Sequence, residues 1–100
     1  MAVPAEIMDF VKNHIELMIS QTQTYIPFVR VAFPQSKTLA EACFNLIVGN
    51  SLSVFINQYA MRMKFPTKEE FEEFGRVTAT YRDKIESCFS LIYFNFISSK

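Results

Sequence analysis

The stretch ACFNLIVGNSLSVFINQYAM, from Ala42 to Met61, contains no Lys, Arg, Asp or Glu, in a chain where one residue in five is charged. A helix with no charged face is ordinarily enclosed by protein or by lipid. The length would suit a membrane span, which needs about 20 apolar residues. Against that, Asn45, Asn50, Ser51, Ser53, Asn57 and Gln58 interrupt the stretch and no Trp marks either end. Unpartnered amides are costly in hydrocarbon. The reading is a helix buried in a helical domain, with no membrane partner expected.

Working outward, Thr38 and Glu41 form a capping-box pattern that starts this helix, and it is expected to run to Lys64. Such a helix would be about 40 Å long, against a radius of gyration of about 13 Å for a compact domain of this size. Either the molecule is elongated or the helix bends, and Gly49-Asn50-Ser51 is where a bend is expected. Downstream, Thr67 with Glu70 repeats the capping box directly after Pro66. Glu69, Glu70, Glu72 and Glu73 then crowd the first turns, where the helix dipole favours negative charge. They read as a solvated cluster, since four carboxylates fanning around a helix do not converge as a hard cation requires. Phe71, Phe74, Thr78, Tyr81, Ile85, Cys88 and Ile92 follow a three-four spacing that predicts one long helical seam.

Upstream, Pro4 to Tyr25 alternates polar Asp9, Asn13, Glu16, Ser20 and Gln23 with apolar residues at helical spacing, which predicts an amphipathic helix. Lys12 and Glu16 are spaced as a surface pair. Ile26 to Phe33 contains Pro27 and ends before Pro34, and leaves strand, turn and short helix open. It is expected to be a connector with at most one helical turn. The fold class is therefore all-α, a single helical domain over residues 1–100. Three long helices plus the short connector make a small bundle, completed by oligomerisation.

Composition limits the function. Ten basic and ten acidic residues leave no net charge, so no field steers the chain onto nucleic acid. From Arg62 to Glu86 six basic residues meet six acidic ones, and no nucleic-acid partner is expected. Cys43 and Cys88 sit in apolar helical contexts, where a thiol packs as a small hydrophobe. With no secretory signal pattern near the start, a cytoplasmic location is expected. His14 is the one histidine. With no second His, Cys pair or Glu-x-x-His motif beside it, it reads as a structural residue satisfied by a neighbour. No nucleotide loop, nucleophile elbow or zinc spacing occurs, so no catalytic residue, metal ligand or cofactor is assigned.

Two features favour a partner. Glu41, Asn45, Gly49, Ser53 and Asn57 recur every four residues as a polar or small stripe, which is either a solvated edge or a close helix contact. Phe89, Leu91, Ile92, Tyr93, Phe94, Phe96 and Ile97 place apolar groups all round the tail. Surfaces of that kind usually mark interactions. The expected function is a non-enzymatic protein-interaction module (adaptor, inhibitor or regulatory subunit) acting as a homo-oligomer, a dimer by default. Its expected interface is Tyr93, Phe94 and Phe96 with Asn45, Gly49 and Ser53. The alternative is a binder of an apolar small molecule in a cavity lined by Phe and Met.

Overall fold

A computed structural model of the chain describes residues 2–35 and 37–87. They are helical, and no strand occurs among them. The elements are α1 (Ala5–Ser20), α2 (Thr22–Ala32), α3 (Leu39–Ala60) and α4 (Lys68–Ala79), and residues 82–87 are helical again.

The expected first helix divides in two at Gln21. Ser20 Oγ donates to the Leu17 carbonyl at 2.6 Å and Thr22 Oγ1 to that of Ile19 at 2.6 Å. The Tyr25 hydroxyl donates to the Met18 carbonyl at 2.8 Å. Three successive carbonyls thus find side-chain donors, and the Gln21 N–H is shared between Leu17 and Met18. Side chains that compete in this way for backbone groups disfavour a continuous helix.

The expected connector is helical instead. α2 continues through Pro27, which cannot donate to the ladder. Tertiary packing outweighs that loss: Val29 is buried, and Tyr25, Ile26 and Phe33 are half-buried against the core. α3 is unbroken, and Gly49 keeps ordinary helical backbone. The choice between bend and elongation is settled for elongation, with principal extents of 51 × 23 × 19 Å.

α1 lies antiparallel along α3, as the Glu6–Arg62 and His14–Asn50 contacts show. Ile7, Val11, Ile15 and Ile19 of α1 and Cys43, Ile47, Ser51, Phe55 and Tyr59 of α3 are both buried series at a spacing of four, along which the two helices pack. From α4, Phe71 and Phe74 bring their ring centroids within 5.9 and 4.9 Å of that of Phe55, which is wholly buried. The seam reads as expected through Phe74, Thr78 and Ile85, all buried, with Phe71 and Tyr81 half-buried. It is nevertheless broken at Thr80, where Thr80 and Tyr81 donate to carbonyls three residues back and α4 ends. Lys84 closes on Glu16 at 2.7 Å, so Glu16 pairs across helices with Lys84 and not with Lys12. The Arg82 guanidinium lies 4.0 Å over the Phe44 ring.

Candidate functional site

The features that go beyond packing gather where α3 turns into α4. The helix was expected to reach Lys64, but it stops four residues earlier. Met63 adopts φ 58, the left-handed region. The Lys64 N–H donates to Tyr59 O at 3.0 Å and the Met63 N–H to Ala60 O at 2.9 Å. These are the two bonds of a Schellman cap, with Met63 at the position where glycine is favoured. A side chain there costs about 1–2 kcal/mol. Three apolar side chains stand out from the resulting corner, Met61, Met63 and Phe65, at 77, 94 and 71% exposure.

Below the tip, Thr67 and Glu70 form the full capping box. Glu70 N donates to Thr67 Oγ1 at 3.2 Å, and Thr67 N donates to Glu70 Oε1 at 2.8 Å. At Thr38 the structure carries the hydroxyl half of the pattern, with Glu41 N donating to Oγ1 at 3.0 Å. The other oxygen of Glu70, Oε2, accepts the phenolic proton of Tyr59. This ties the last turn of α3 to the first turn of α4. Beside the pair is a cleft of about 430 Å³ lined by Pro4, Ile7, Tyr59, Arg62, Lys64, Phe65, Thr67 and Glu70. Arg62 reaches over it to Glu6 at 3.0 Å.

Electrostatics place this pair away from acid–base chemistry. Burial, reinforced by the bond to the Glu70 carboxylate, pushes the Tyr59 phenol well above its ordinary value. The same bond, with the Thr67 N–H, holds Glu70 below the ordinary carboxyl range. A general acid or base works best with a pKa near the operating pH, and here both groups move away from neutrality. The pair is a lock on the corner. Aromatic contacts brace it: Tyr59 meets Phe55 edge-on at 5.2 Å, and Phe65 lies 5.7 Å from Phe71.

The acidic cluster divides. Glu69 and Glu72 are exposed as expected, but Glu73 is buried. Its Oε1 accepts from the backbone N–H groups of Ala2 and Val3, at 2.8 and 3.3 Å. The seam spacing that buries Phe74 and Thr78 also carries Glu73 inward beneath the N-terminal strap.

Of the residues expected at an interface, Asn45, Gly49 and Ser53 share one exposed edge of α3 with Glu41 and Asn57. Within the chain this stripe is therefore a solvated edge, and a Cβ added at Gly49 would meet no atom within 4 Å. Asn45 also lines an open depression of about 490 Å³ with Ala32, Phe33, Pro34, Gln35 and Glu41. Tyr93, Phe94 and Phe96 lie outside the described residues. His14 is half-buried and hydrogen-bonded through Nε2 to Asn50 Oδ1, the neighbour-satisfied arrangement expected of it. Among the described residues no group of His, Cys, Asp and Glu is placed to hold a metal ion. The expected Phe- and Met-lined cavity is not what the cleft beside Tyr59 offers, since its wall has one Phe, no Met and three charged residues.

A helix carried through to Lys64 hides the exposed corner, because it places Met61 and Met63 in helical register. The signal was present in Met61-Arg62-Met63-Lys64-Phe65, where apolar and basic residues alternate with period two immediately before Pro66. That period does not fit a helix. α3 is also the one helix among the described residues long and apolar enough to cross a membrane, with a third of its most apolar window buried in the fold. No family model, curated protein or solved structure matches this chain.

Proposed function

We propose that this chain is a non-enzymatic protein-interaction module, a homo-oligomer that docks through the corner between α3 and α4. The observation that carries the reading is Met63. A bulky apolar side chain stands 94% exposed on a residue held in left-handed backbone. Folding alone favours glycine at that position and offers the methionine no apolar contact in return. Strain retained at a surface site is a mark of function, and methionine adapts its shape to a partner surface. Met61 and Phe65 widen the apolar patch, and Arg62 and Lys64 give it a basic rim. On α2, Phe28 and Val31 add further apolar exposure, 68 and 81%.

The test is light scattering of the parent and of the double variant Met63→Ser/Phe65→Ser. The parent is expected at twice the 11.6 kDa chain mass or more, and the double variant at the chain mass with unchanged helicity. A parent that stays monomeric across micromolar concentrations defeats the oligomer. A double variant that assembles like the parent moves the interface elsewhere, and Phe94→Glu/Phe96→Glu then tests the tail.

A further inference from the structure

The corner between α3 and α4 is polarised along the chain. Arg62 and Lys64 precede Phe65, Glu69 and Glu72 follow it, and all four charged residues are exposed. Within the chain Arg62 pairs with Glu6 at 3.0 Å and Glu72 with Lys68 at 4.0 Å. Glu70 has both oxygens engaged, one by the Thr67 N–H and the other by the Tyr59 hydroxyl. Lys64 and Glu69 are left. Neither enters an ion pair or a side-chain hydrogen bond among the described residues, and Lys64 acts on the Glu70 carboxyl only as a positive charge nearby. Between the two in the chain stands Phe65 at 71% exposure, with Met63 at 94% just before Lys64.

We infer that two copies of this chain meet corner to corner across a two-fold axis, with Lys64 of each copy paired to Glu69 of the other. The inference rests on the oligomer proposed above and adds its arrangement. A two-fold interface is isologous, so every contact between two different residues occurs twice, once in each direction. A strip that is basic at one end, apolar in the middle and acidic at the other meets this condition by lying antiparallel on itself. Both charged ends then find opposite charge, and the Phe65 rings face one another across the axis. Laid parallel, the same strip sets Lys64 against Lys64 and Glu69 against Glu69, and like charges in contact suppress an arrangement. Exposed ion pairs add little affinity. Here the apolar side chains hold the dimer and the charges select its register.

The experiment is charge reversal read by sedimentation equilibrium at low salt, with circular dichroism confirming that each variant keeps the helicity of the parent. Lys64→Glu brings two carboxylates together at both ends of the interface, and Glu69→Lys brings two ammonium groups together there. Each is expected to raise the dimer dissociation constant about tenfold or more, and the milder Lys64→Gln and Glu69→Gln to raise it less. Mixed one to one, the two reversal variants regain opposite charges at both ends and are expected to form a heterodimer of parental affinity. The double variant Lys64→Glu/Glu69→Lys should regain the homodimer in the same way. A parent that stays monomeric overturns the oligomer and this arrangement together, and a parent that assembles as a trimer overturns the two-fold axis. Where the parent dimerises and Met63→Ser/Phe65→Ser does not, the docking corner stands. Reversal variants that then assemble like the parent, or that weaken without recovering on mixing, overturn the Lys64–Glu69 pairing alone.

Discussion

The phenol of Tyr59, in the last turn of α3, donates its proton to the Glu70 carboxylate that caps the first turn of α4. One side chain therefore holds two helix ends at a fixed angle, and the corner between them presents Met61, Met63 and Phe65.

Tyr59→Phe keeps the ring packed against Phe55 and removes only the bond. The expected cost is about 1 kcal/mol. The pH profile carries the sharper signature. In the parent, Glu70 titrates below its ordinary value of 4.5, chiefly because Tyr59 bonds to it. A depressed carboxyl stabilises the fold fully above the unfolded value and loses that contribution as pH falls through the folded one. In Tyr59→Phe the folded value moves back toward 4.5, and chemical denaturation below that pH should show a shallower acid limb. An unaltered acid limb would mean the bond does not form in solution.

Met63→Gly relieves the left-handed backbone at the end of α3. It is expected to raise stability by about 1 kcal/mol while abolishing self-association. Denaturant midpoints and light scattering on the same samples check both halves. A gain in stability with association intact separates the strain from the function proposed for it.

Gly49→Ala reports on the polar stripe of α3. Since an added methyl meets nothing within 4 Å, the isolated chain should gain about 0.5–1 kcal/mol from the better helix former. If the Asn45–Gly49–Ser53 edge is instead a close contact between copies, the same methyl weakens assembly. Melting measured over a range of protein concentrations distinguishes the two outcomes, because only the second makes the effect concentration-dependent.

Phe55→Ala should be the most damaging single truncation in the core, at about 3–5 kcal/mol. Phe55 is wholly buried and meets Tyr59, Phe71 and Phe74 together, so its loss opens a cavity shared by α3 and α4. Urea unfolding monitored by circular dichroism gives the value. A loss under 1 kcal/mol would show that the corner packs differently.

Local chemistry made much of this readable along the chain. Helical class, the start of α3 at Thr38 and the start of α4 at Thr67 follow from periodicity and from hydroxyls that satisfy orphan N–H groups within three residues. The neighbour-satisfied role of His14 followed from the absence of any metal-binding spacing around it. Contacts distant in sequence decided the rest. Pro27 argued against a helix, yet α2 forms, because burying Val29 against α3 outweighs one missing backbone bond. Gly49 allowed a bend that α1, lying along α3, does not require. Glu73 looked like one of four solvated carboxylates until Ala2 and Val3, about 70 residues away, were found donating to it. Met63 looked helical because a residue's φ is set by the cap it completes, and that cap depends on where α4 must begin. Spacing along a chain encodes which face of a helix is apolar; which neighbour covers that face depends on loop closure and packing, and only the folded molecule decides it.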